Sequence, residues 1–383
     1  MPTTCAGIGY SVLDVVPRTI VPMTTTAVLF GGPSDEHDIS ILTGLQVARA
    51  LTGDPMALYW SKTGKWFQVE AAAEAADFVD GVPRKAREVK FMAAPGAGFV
   101  MKKKPLALEV AVIACHGGPG EDGTLQGALD LARIRYTGPG QSASALGMDK
   151  FSFGATMAAA GLPSLPRRLL IPGAAATTAG FEGPYIVKPR FGGSSIGIEV
   201  AADWETVMAL VGHSPYFAAG AVVEPFLEGS RDLQVAVRLF PALELSAIEA
   251  PARAEGSGIY SYDQKYLAWG GEVSGGRELP AQIEVGLSER VRELAARVAT
   301  VYGVRGISRI DFLERDGEVW VNEINTIPGS MAAYLWIDPP RDRAELFGAM
   351  VSEAAASPAR SFSTSGSDGT ALRSAGTIAS KLG

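Results

Sequence analysis

"GISRIDFLERDGEVWVNEIN", residues 306–325, predicts a β-hairpin in the C-terminal part of the chain. Apolar residues alternate on both sides of Asp316 and Gly317, a residue pair typical of a β-hairpin turn. The second strand departs from a core pattern, because Glu323 and Asn325 continue the face of the preceding valines. A carboxylate and an amide at the inner end of a strand indicate a functional site there.

The hairpin carries a candidate metal site. Asp311, Glu323 and Asn325 offer the oxygen ligands that Mg²⁺ prefers. A strict two-residue turn would place Asp311 opposite Asn322, so this interpretation requires a longer loop or a bulge. The alternative is a solvated hairpin face on which Asp311 only forms a salt bridge with Arg309.

The composition favours a globular protein that acts on small molecules. The chain has 383 residues, 47% hydrophobic and 20% charged, with a net charge of -7. This charge argues against a broad basic surface for nucleic acid, and the absence of a run of ~20 apolar residues argues against a membrane span. The two cysteines, Cys5 and Cys115, lack metal or redox spacing, which is typical of a cytoplasmic protein.

The N-terminal half contains two strand-turn-helix units, and the first runs from residue 25 through two glycines into a helix with apolar spacing. In the second, a strand ends at Cys115 and a helix begins near Thr124. Such units predict a parallel α/β domain with ligand groups at the carboxyl ends of its strands. We divide the chain into a loose extension (1–23), this N-terminal α/β domain (24–144), a central lobe (145–228), a C-terminal lobe (229–355) and a disordered tail (356–383).

Both later lobes mix helices with hairpin-like strands and are predicted to be α+β. Residues 143–161 are expected to form one helix, and strands follow at "PYIVKPR" and "AVVEPFL". An amphipathic helix ends at Gly303, and its apolar stripe contains Leu287, Val291, Leu294, Val298 and Val301.

The glycine-rich stretch "VKPRFGGSSIG", residues 187–197, is a candidate phosphate site. Its backbone N–H groups can surround phosphate oxygens while Lys188 neutralises their charge. The alternative is a flexible hairpin tip with an incidental lysine, because loose glycine motifs are weak signals.

Two N-terminal turns and one later loop are further candidates. Glu36 lies in the first turn, and His116, Glu121 and Asp122 lie in the second, each turn at a helix start that favours anions. The acidic residues could equally be helix caps. The polar, aromatic segment 260–266 is flanked by glycines and is either a lid or an ordinary surface loop.

Read in order, eight motifs resemble those of the D-alanine-D-alanine ligases of the ATP-grasp superfamily. The resemblance extends from about Ala27 to Leu335. The motifs are "VLFGGPSDEHDIS", "HGGPGEDGTLQG", "SALGMDK", "VKPRFGGSSIG", "VVEPFLEG", "YDQKY", "RIDF" and "NEINTIPG".

The resemblance implies an ATP-grasp fold, in which the parallel α/β domain precedes two α+β lobes that clasp the nucleotide. It implies an ATP-dependent ligase that phosphorylates one D-alanine and joins it to a second. The products are D-alanyl-D-alanine for peptidoglycan synthesis, ADP and phosphate. Two Mg²⁺ ions, with Mn²⁺ as an alternative, and a homodimer are also implied.

The resemblance assigns roles to matched residues. The ATP-binding residues are Lys150, Lys188, Glu224, Leu227, Asp232 and the lid residue Lys265. The metal ligands are Asp311, Glu323 and Asn325. The residues implied at the reacting groups are Arg309 and Gly329, for the oxyanion, and the hydrogen-bonded trio Glu36, Ser194 and Tyr266. The residues implied to line the amino-acid sites are His116, Glu121, Tyr334 and Leu335.

Two departures from the family pattern bear on specificity. Asp232 can serve as the ribose-binding carboxylate, but Ser230 is an insertion before it. Tyr334 occupies the position of a serine that binds the carboxylate of the second substrate, so its ring can reshape that pocket. The alternatives are therefore a ligase that joins an amino acid to a different acceptor in specialised metabolism, and a non-catalytic nucleotide-binding relative.

Overall fold

The computed structural model describes residues 25–173, 176, 178–251 and 277–378. These residues form three β-sheets with helices packed on them, which confirms the predicted mixture of α/β and α+β structure. The N-terminal extension, the predicted lid with Lys265 and Tyr266, and residues 379–383 of the predicted tail lie outside the described residues.

The N-terminal domain is built on an eight-stranded sheet with the strand order β6-β5-β4-β3-β2-β1-β7-β8. Its strands are β1 (Thr26–Gly31), β2 (Met56–Trp60), β3 (Trp66–Val69), β4 (Arg87–Met92), β5 (Gly98–Met101), β6 (Lys104–Pro105), β7 (Val110–Ile113) and β8 (Arg135–Tyr136). Its helices are α1 (His37–Ala50), α2 (Gly118–Glu121), α3 (Thr124–Ala132) and a 3-10 turn at Ala75–Phe78. Strands β2, β1, β7 and β8 are parallel, and β3 to β6 add an antiparallel extension.

The parallel half of this sheet places the two predicted turns side by side. Strands β1 and β7 are adjacent and almost completely buried, as expected of parallel strands covered on both faces. Ser40 ties their carboxyl ends together: its Oγ accepts from Gly31 N at 2.7 Å and donates to Ala114 O at 2.8 Å. Glu36 and His116 therefore meet at one edge of the sheet.

The central lobe contains a four-stranded antiparallel sheet with the order β11-β10-β12-β9. Its elements are α4 (Gln141–Met148), α5 (Lys150–Ala159), β9 (Arg168–Leu170), β10 (Tyr185–Pro189), β11 (Glu199–Ala201), α6 (Trp204–His213), a 3-10 turn at Pro215–Phe217 and β12 (Ala221–Pro225). The single helix predicted over residues 143–161 is wrong. The chain breaks at Asp149, whose side chain accepts from the amides of Phe151 and Ser152 and so caps α5.

The C-terminal lobe contains a four-stranded sheet with the order β14-β13-β15-β16. Its elements are β13 (Arg231–Arg238), β14 (Glu244–Glu249), α7 (Val285–Tyr302), β15 (Ser308–Arg315), β16 (Glu318–Asn325), a 3-10 segment at Gly329–Leu335, α8 (Arg343–Ala356) and α9 (Thr370–Ala375). Helix α7 ends at Gly303 in the left-handed conformation, φ 72°, as predicted. The predicted apolar stripe of α7 is correct, except that Val301 is 45% exposed and Tyr302 is buried in its place.

The hairpin of β15 and β16 satisfies the condition set by the metal interpretation. Arg315 pairs with Glu318, so the turn has only two residues, Asp316 and Gly317. A bulge then shifts the register, because Phe312 pairs with Val321 and Asp311 pairs with Glu323. Asn322 is the extra residue of the bulge.

Helix α8 links the C-terminal lobe to the N-terminal domain. Its buried residues Leu346, Phe347 and Met350 join the hydrophobic core that also contains β1 and β7. The short 3-10 segment contributes Met331 and Leu335 to the same core. None of the helices in the described ranges combines the length and apolar character needed to cross a membrane.

Candidate active site

One pocket lies where the carboxyl ends of β1 and β7 face the hairpin and the glycine-rich loop. It brings together eight residues that the sequence predicted: Glu36, His116, Glu121, Lys150, Arg309, Glu323, Asn325 and Gly329. They come from all three sheets or the segments next to them, so the fold assembles the site from distant parts of the chain.

A row of polar side chains crosses the C-terminal sheet beside this pocket. Glu249 pairs with Gln234, Gln234 pairs with Asp311, and Asp311 pairs with Glu323. Directly paired residues point to the same face, so the four side chains share one surface. Asn325 lies one step further along that face and donates from Nδ2 to Asp311 Oδ2 at 3.1 Å, which leaves its amide oxygen as the end available to a cation.

The predicted ligands fit a hard divalent cation. They are two carboxylates and one amide on one face, a set that leaves coordination positions for water and phosphate oxygens. Across the part of the chain that the structure describes, no group of three His, Cys, Asp or Glu side chains is arranged to hold a metal.

Arg309 holds Asp311 through two contacts. Its Nε lies 2.7 Å from Asp311 Oδ1, and its Nη2 lies 2.8 Å from Oδ2. Gln234 Nε2 also lies 3.4 Å from Asp311 Oδ2. The salt bridge that the sequence offered as an alternative to the metal is thus present.

Lys188 is a buried lysine held by two oxygen atoms. Its Nζ donates to Glu224 Oε2 at 2.7 Å and to Asn322 Oδ1, at the bulge, at 3.0 Å. Glu224 is only 1% exposed. Burial alone would raise the pKa of the Glu224 carboxyl, but the cations of Lys188 and Arg167 outweigh burial and lower it.

Lys150 lies at the first position of α5 and reaches the glycine-rich loop. Its Nζ donates to Gly192 O and lies 3.9 Å from Glu323 Oε2. The break at Asp149 therefore places Lys150 between the loop and the predicted metal ligands. Asp149 itself binds Arg190, with Arg190 Nη2 2.6 Å from its Oδ2.

Glu36 and Ser194 are in direct contact, as the sequence predicted. The Ser194 hydroxyl donates to Glu36 Oε1, and both residues are buried. Ser194 and Ser195 adopt left-handed backbone conformations with φ of 54° and 59°, which turn the loop back toward the N-terminal domain. Glu36 lines the pocket, and its side chain makes no cap hydrogen bond to α1.

Glu121 braces the segment that follows the hairpin. Its Oε1 accepts from Thr326 N at 3.2 Å, Thr326 Oγ1 at 2.9 Å and Ile327 N at 3.0 Å, and its Oε2 accepts from Gly117 N at 3.0 Å. Burial and the charge of Glu36 raise the pKa of Glu121 to about 7, although these donors oppose the rise. Asp122, in contrast, accepts from Thr124 N at 2.8 Å at the start of α3, one residue before the N-cap Gly123.

His116 connects α1 to the same segment. Its Nδ1 lies 2.6 Å from Ile327 O, so this nitrogen carries the proton, and its Nε2 accepts from Thr43 Oγ1 at 2.7 Å. Thr43 Oγ1 also accepts from Ser330 N at 3.0 Å. Burial lowers the pKa of His116, which suits this neutral tautomer.

Tyr334 belongs to a cluster with Glu249 and Arg277. The Arg277 guanidinium lies 4.6 Å from the centre of the Tyr334 ring, and its Nε lies 2.5 Å from Glu249 Oε1. Burial raises the pKa of both the Glu249 carboxyl and the Tyr334 hydroxyl, and each lies in the field of the other. Leu335 is completely buried in the hydrophobic core, and its assignment to an amino-acid site stays a prediction.

The remaining ATP-binding predictions lie near the central lobe. Asp232 points to the same face of β13 as Gln234, as their spacing requires. Leu227 is half-buried after β12, and its carbonyl accepts from Ser230 N at 3.1 Å. Lys265 and Tyr266 lie outside the residues that the structure describes.

Sequence reasoning missed several residues of the site. They are Thr43, Arg167, Glu249, Arg277, Asn322 and Thr326. Asn322 had a signal, because the metal interpretation required either a longer loop or a bulge. The others act across the fold on segments distant in sequence, so no local pattern marks them.

Comparisons with known proteins agree with this geometry. A family model described as the N-terminus of D-ala D-ala ligase matches residues 25–139, and one described as its C-terminus matches residues 172–338. The D-alanine--D-alanine ligase of Mycolicibacterium smegmatis is 33% identical over 366 residues, which covers 87% of this chain and 96% of the relative. That of Rhodococcus jostii is 32% identical over 353 residues, covering 82% and 92%.

Solved structures show the same fold. The VanG D-Ala:D-Ser ligase of Enterococcus faecalis superposes with a TM-score of 0.73 at 22% identity, covering 86% of this chain and 99% of that one. The D-alanine-D-alanine ligase of Coxiella burnetii gives 0.72 at 22% identity, covering 87% and 94%. With both family models and these relatives spanning most of its length, the chain belongs to the D-alanine-D-alanine ligase family of ATP-dependent ligases with the ATP-grasp fold.

Proposed function

We propose that this chain joins two D-alanines at the expense of ATP and releases D-alanyl-D-alanine, ADP and phosphate. The observation that carries the proposal is the pocket that gathers Glu36, Lys150, Arg309, Glu323 and Asn325 around one space. A carboxylate oxygen of the first D-alanine attacks the γ-phosphorus of ATP, and ADP leaves. The amino group of the second D-alanine then attacks the acyl phosphate, and phosphate leaves.

The described side chains suit the charges of this reaction. Glu36 is a buried carboxylate at the pocket and would hold the ammonium of the first D-alanine. Lys150 and Lys188 would neutralise nucleotide charge from α5 and β10. Arg309 and the backbone N–H of Gly329 line the same pocket and would stabilise the oxyanion, a contribution often worth ~3 kcal/mol per donor.

Asp311, Glu323 and Asn325 would hold divalent cations, for which we propose two Mg²⁺ ions with Mn²⁺ as a substitute. When bound, such ions neutralise the phosphate charge that develops during transfer. The protein supplies the face that holds the ligands, and the bulge at Asn322 brings Glu323 onto that face.

We further propose that the enzyme acts in the cytoplasm, supplies peptidoglycan synthesis and forms a homodimer; the dimer rests on the family resemblance alone. The dipeptide product is favoured over a different acceptor because the curated relatives at 32–33% identity are named D-alanine--D-alanine ligases. The match to a D-Ala:D-Ser ligase, at 22% identity, concerns the fold and does not favour D-serine.

The test is phosphate release with ATP, Mg²⁺ and a panel of D- and L-amino acids, offered singly and in pairs, with mass spectrometry of the products. We expect turnover with D-alanine alone and a product of the dipeptide mass. Turnover that requires a second, different acceptor would contradict the proposal. Absence of phosphate release in every mixture would favour the non-catalytic alternative.

A further inference from the structure

Arg167 is a buried arginine that joins three parts of the nucleotide site. Its side chain is 5% exposed and lies immediately before β9. Its Nη2 donates to Asn322 O at 2.6 Å, and its Nη1 donates to Lys150 O. Its Nε lies 2.7 Å from Glu224 Oε1 in an ion pair whose atoms are not aligned as a hydrogen bond.

Each of these three contacts affects a group with a role in the proposed reaction. The Lys150 carbonyl belongs to the first residue of α5, whose side chain enters the pocket. The Asn322 carbonyl belongs to the bulge that sets the register of Glu323. Glu224 is one of the two oxygen partners of Lys188. One guanidinium therefore fixes both lysines and the metal-binding strand relative to one another.

A glycine makes room for this guanidinium. Gly154 lies in the interior of α5 and is buried. A Cβ at this position would overlap the Nη1, Cζ and Nε atoms of Arg167. Glycine costs ~1 kcal/mol relative to alanine inside a helix, and here the missing side chain leaves the space that Arg167 fills.

Lysine could not reproduce these contacts. The planar guanidinium donates in several fixed directions at once, whereas an ammonium is a compact point charge on a flexible stem. Without Arg167, the part-buried carbonyls of Lys150 and Asn322 each lose a donor, and among the described residues the buried Glu224 is left with Lys188 as its cation. A buried carboxylate that loses one of its cations is destabilised, so the surrounding segments would shift to compensate.

We infer that Arg167 is a positioning residue of the nucleotide site and that Gly154 is required to admit it. This inference rests on the proposed function, because it concerns the affinity for ATP. Arg167 acts through Lys150, Lys188 and the bulge at Asn322, and it is predicted to affect nucleotide binding far more than amino-acid binding.

The test compares Arg167→Ala, Arg167→Lys and Gly154→Ala with the control Arg168→Gln, which changes the exposed neighbouring arginine. Binding of ADP with Mg²⁺ is measured by calorimetry, and KM values for ATP and D-alanine are measured by phosphate release. Thermal unfolding of each variant reports its stability. We expect all three variants to weaken ADP binding and raise the KM for ATP by ~10-fold or more. The KM for D-alanine should stay within about twofold, since within the described part of the chain no hydrogen bond of Arg167 reaches the amino-acid groups.

Gly154→Ala is the sharpest variant, because it keeps every functional group and only displaces the guanidinium. Added guanidinium ion should partly restore ADP binding to Arg167→Ala and should not improve Arg168→Gln. If Arg167→Ala does not fold, Arg167→Lys and Gly154→Ala test the inference instead. Wild-type ADP affinity in Arg167→Lys and Gly154→Ala, or equal increases in both KM values, would overturn the inference. Failure of wild-type protein to form dipeptide while it still binds ADP would instead contradict the proposed function.

Discussion

Asp311 and Glu323 stand directly opposite each other across the β15–β16 hairpin. They do so because the chain contains one extra residue, Asn322, between Glu323 and the two-residue turn. In a regular ladder Asp311 would face Asn322, and Glu323 would point to the opposite face. The bulge also aims the Asn322 amide at Lys188, so the same irregularity connects the proposed metal ligands to the buried lysine.

Replacing Glu323 by Gln should reduce ATP turnover by at least ~100-fold, because a neutral amide cannot offset the positive charge of a bound divalent cation as a carboxylate does. Glu323 is only partly buried, so the variant should unfold within a few degrees of wild type. Phosphate release at saturating Mg²⁺ is the measurement. Glu318→Gln, on an exposed residue of the same strand, is the control. Normal turnover in Glu323→Gln would remove Glu323 from the metal site.

Replacing Tyr334 by Ser should widen the range of accepted second substrates. The ring lies beneath Arg277 and beside Glu249, and its removal opens space in this cluster. Tyr334→Phe keeps the ring and should retain wild-type selectivity. Products are identified by mass spectrometry after incubation with D-alanine and larger D-amino acids. An identical product spectrum in wild type and Tyr334→Ser would place Tyr334 outside the acceptor pocket.

Glu121 should make stability depend on pH near neutrality. Its folded pKa of about 7 lies above the ordinary value of 4.5, so the folded protein binds this proton more tightly than the unfolded chain does. The resulting stabilisation is complete below the unfolded pKa and is lost as pH rises through about 7, a change of up to ~3 kcal/mol. Position 121 cannot titrate in Glu121→Gln. The free energy of unfolding of this variant, measured in urea, should therefore rise relative to that of wild type between pH 5 and 8. A pH-independent difference would show that the donors around Glu121 hold it ionised throughout.

Replacing Thr43 by Val should loosen the segment that follows Pro328. Thr43 Oγ1 serves both His116 and Ser330 N, and Ser330, Met331 and Ala332 all have φ near 50°. Left-handed conformations are unfavourable for residues other than glycine, so this segment depends on its anchors. We expect a loss of ~1–3 kcal/mol in the free energy of unfolding, together with lower turnover. Thr43→Ser should restore both quantities; equal losses in the two variants would show that the hydroxyl is not the anchor.

Local sequence patterns predicted the helix and strand features that are set by residues close together in the sequence. The stripe of α7 and its end at Gly303 follow from helical spacing and a left-handed cap, so they were correct. The break before α5 was missed because residues compatible with a helix continue on both sides of Asp149, and only the cap formed by its side chain shows the interruption. The antiparallel strands β4 to β6 were also missed, since β4 and β6 are mostly exposed and β5 has only four residues.

Site residues could be predicted where one sequence motif contains all the residues that act together. Asp311 and Glu323 could be paired from the alternation of the hairpin, and only the bulge remained open. The partnership of Arg167 with Gly154 could not be predicted in this way. An arginine after Pro166 is typical of a surface turn, and a glycine in a helix only weakens the helix. Their relation exists only after α5 and β9 pack together.

In the proposed reaction, the carboxylate of one D-alanine is phosphorylated and then attacked by the amino group of another. The most direct measurement uses D-alanine labelled with oxygen-18 in its carboxylate, together with unlabelled ATP and water. Mass spectrometry then follows the label in the released phosphate and in the dipeptide. We expect each phosphate to carry one labelled oxygen from D-alanine, in a one-to-one ratio with dipeptide. Unlabelled phosphate would mean that ATP is hydrolysed by water, and it would contradict the proposed acyl-phosphate mechanism.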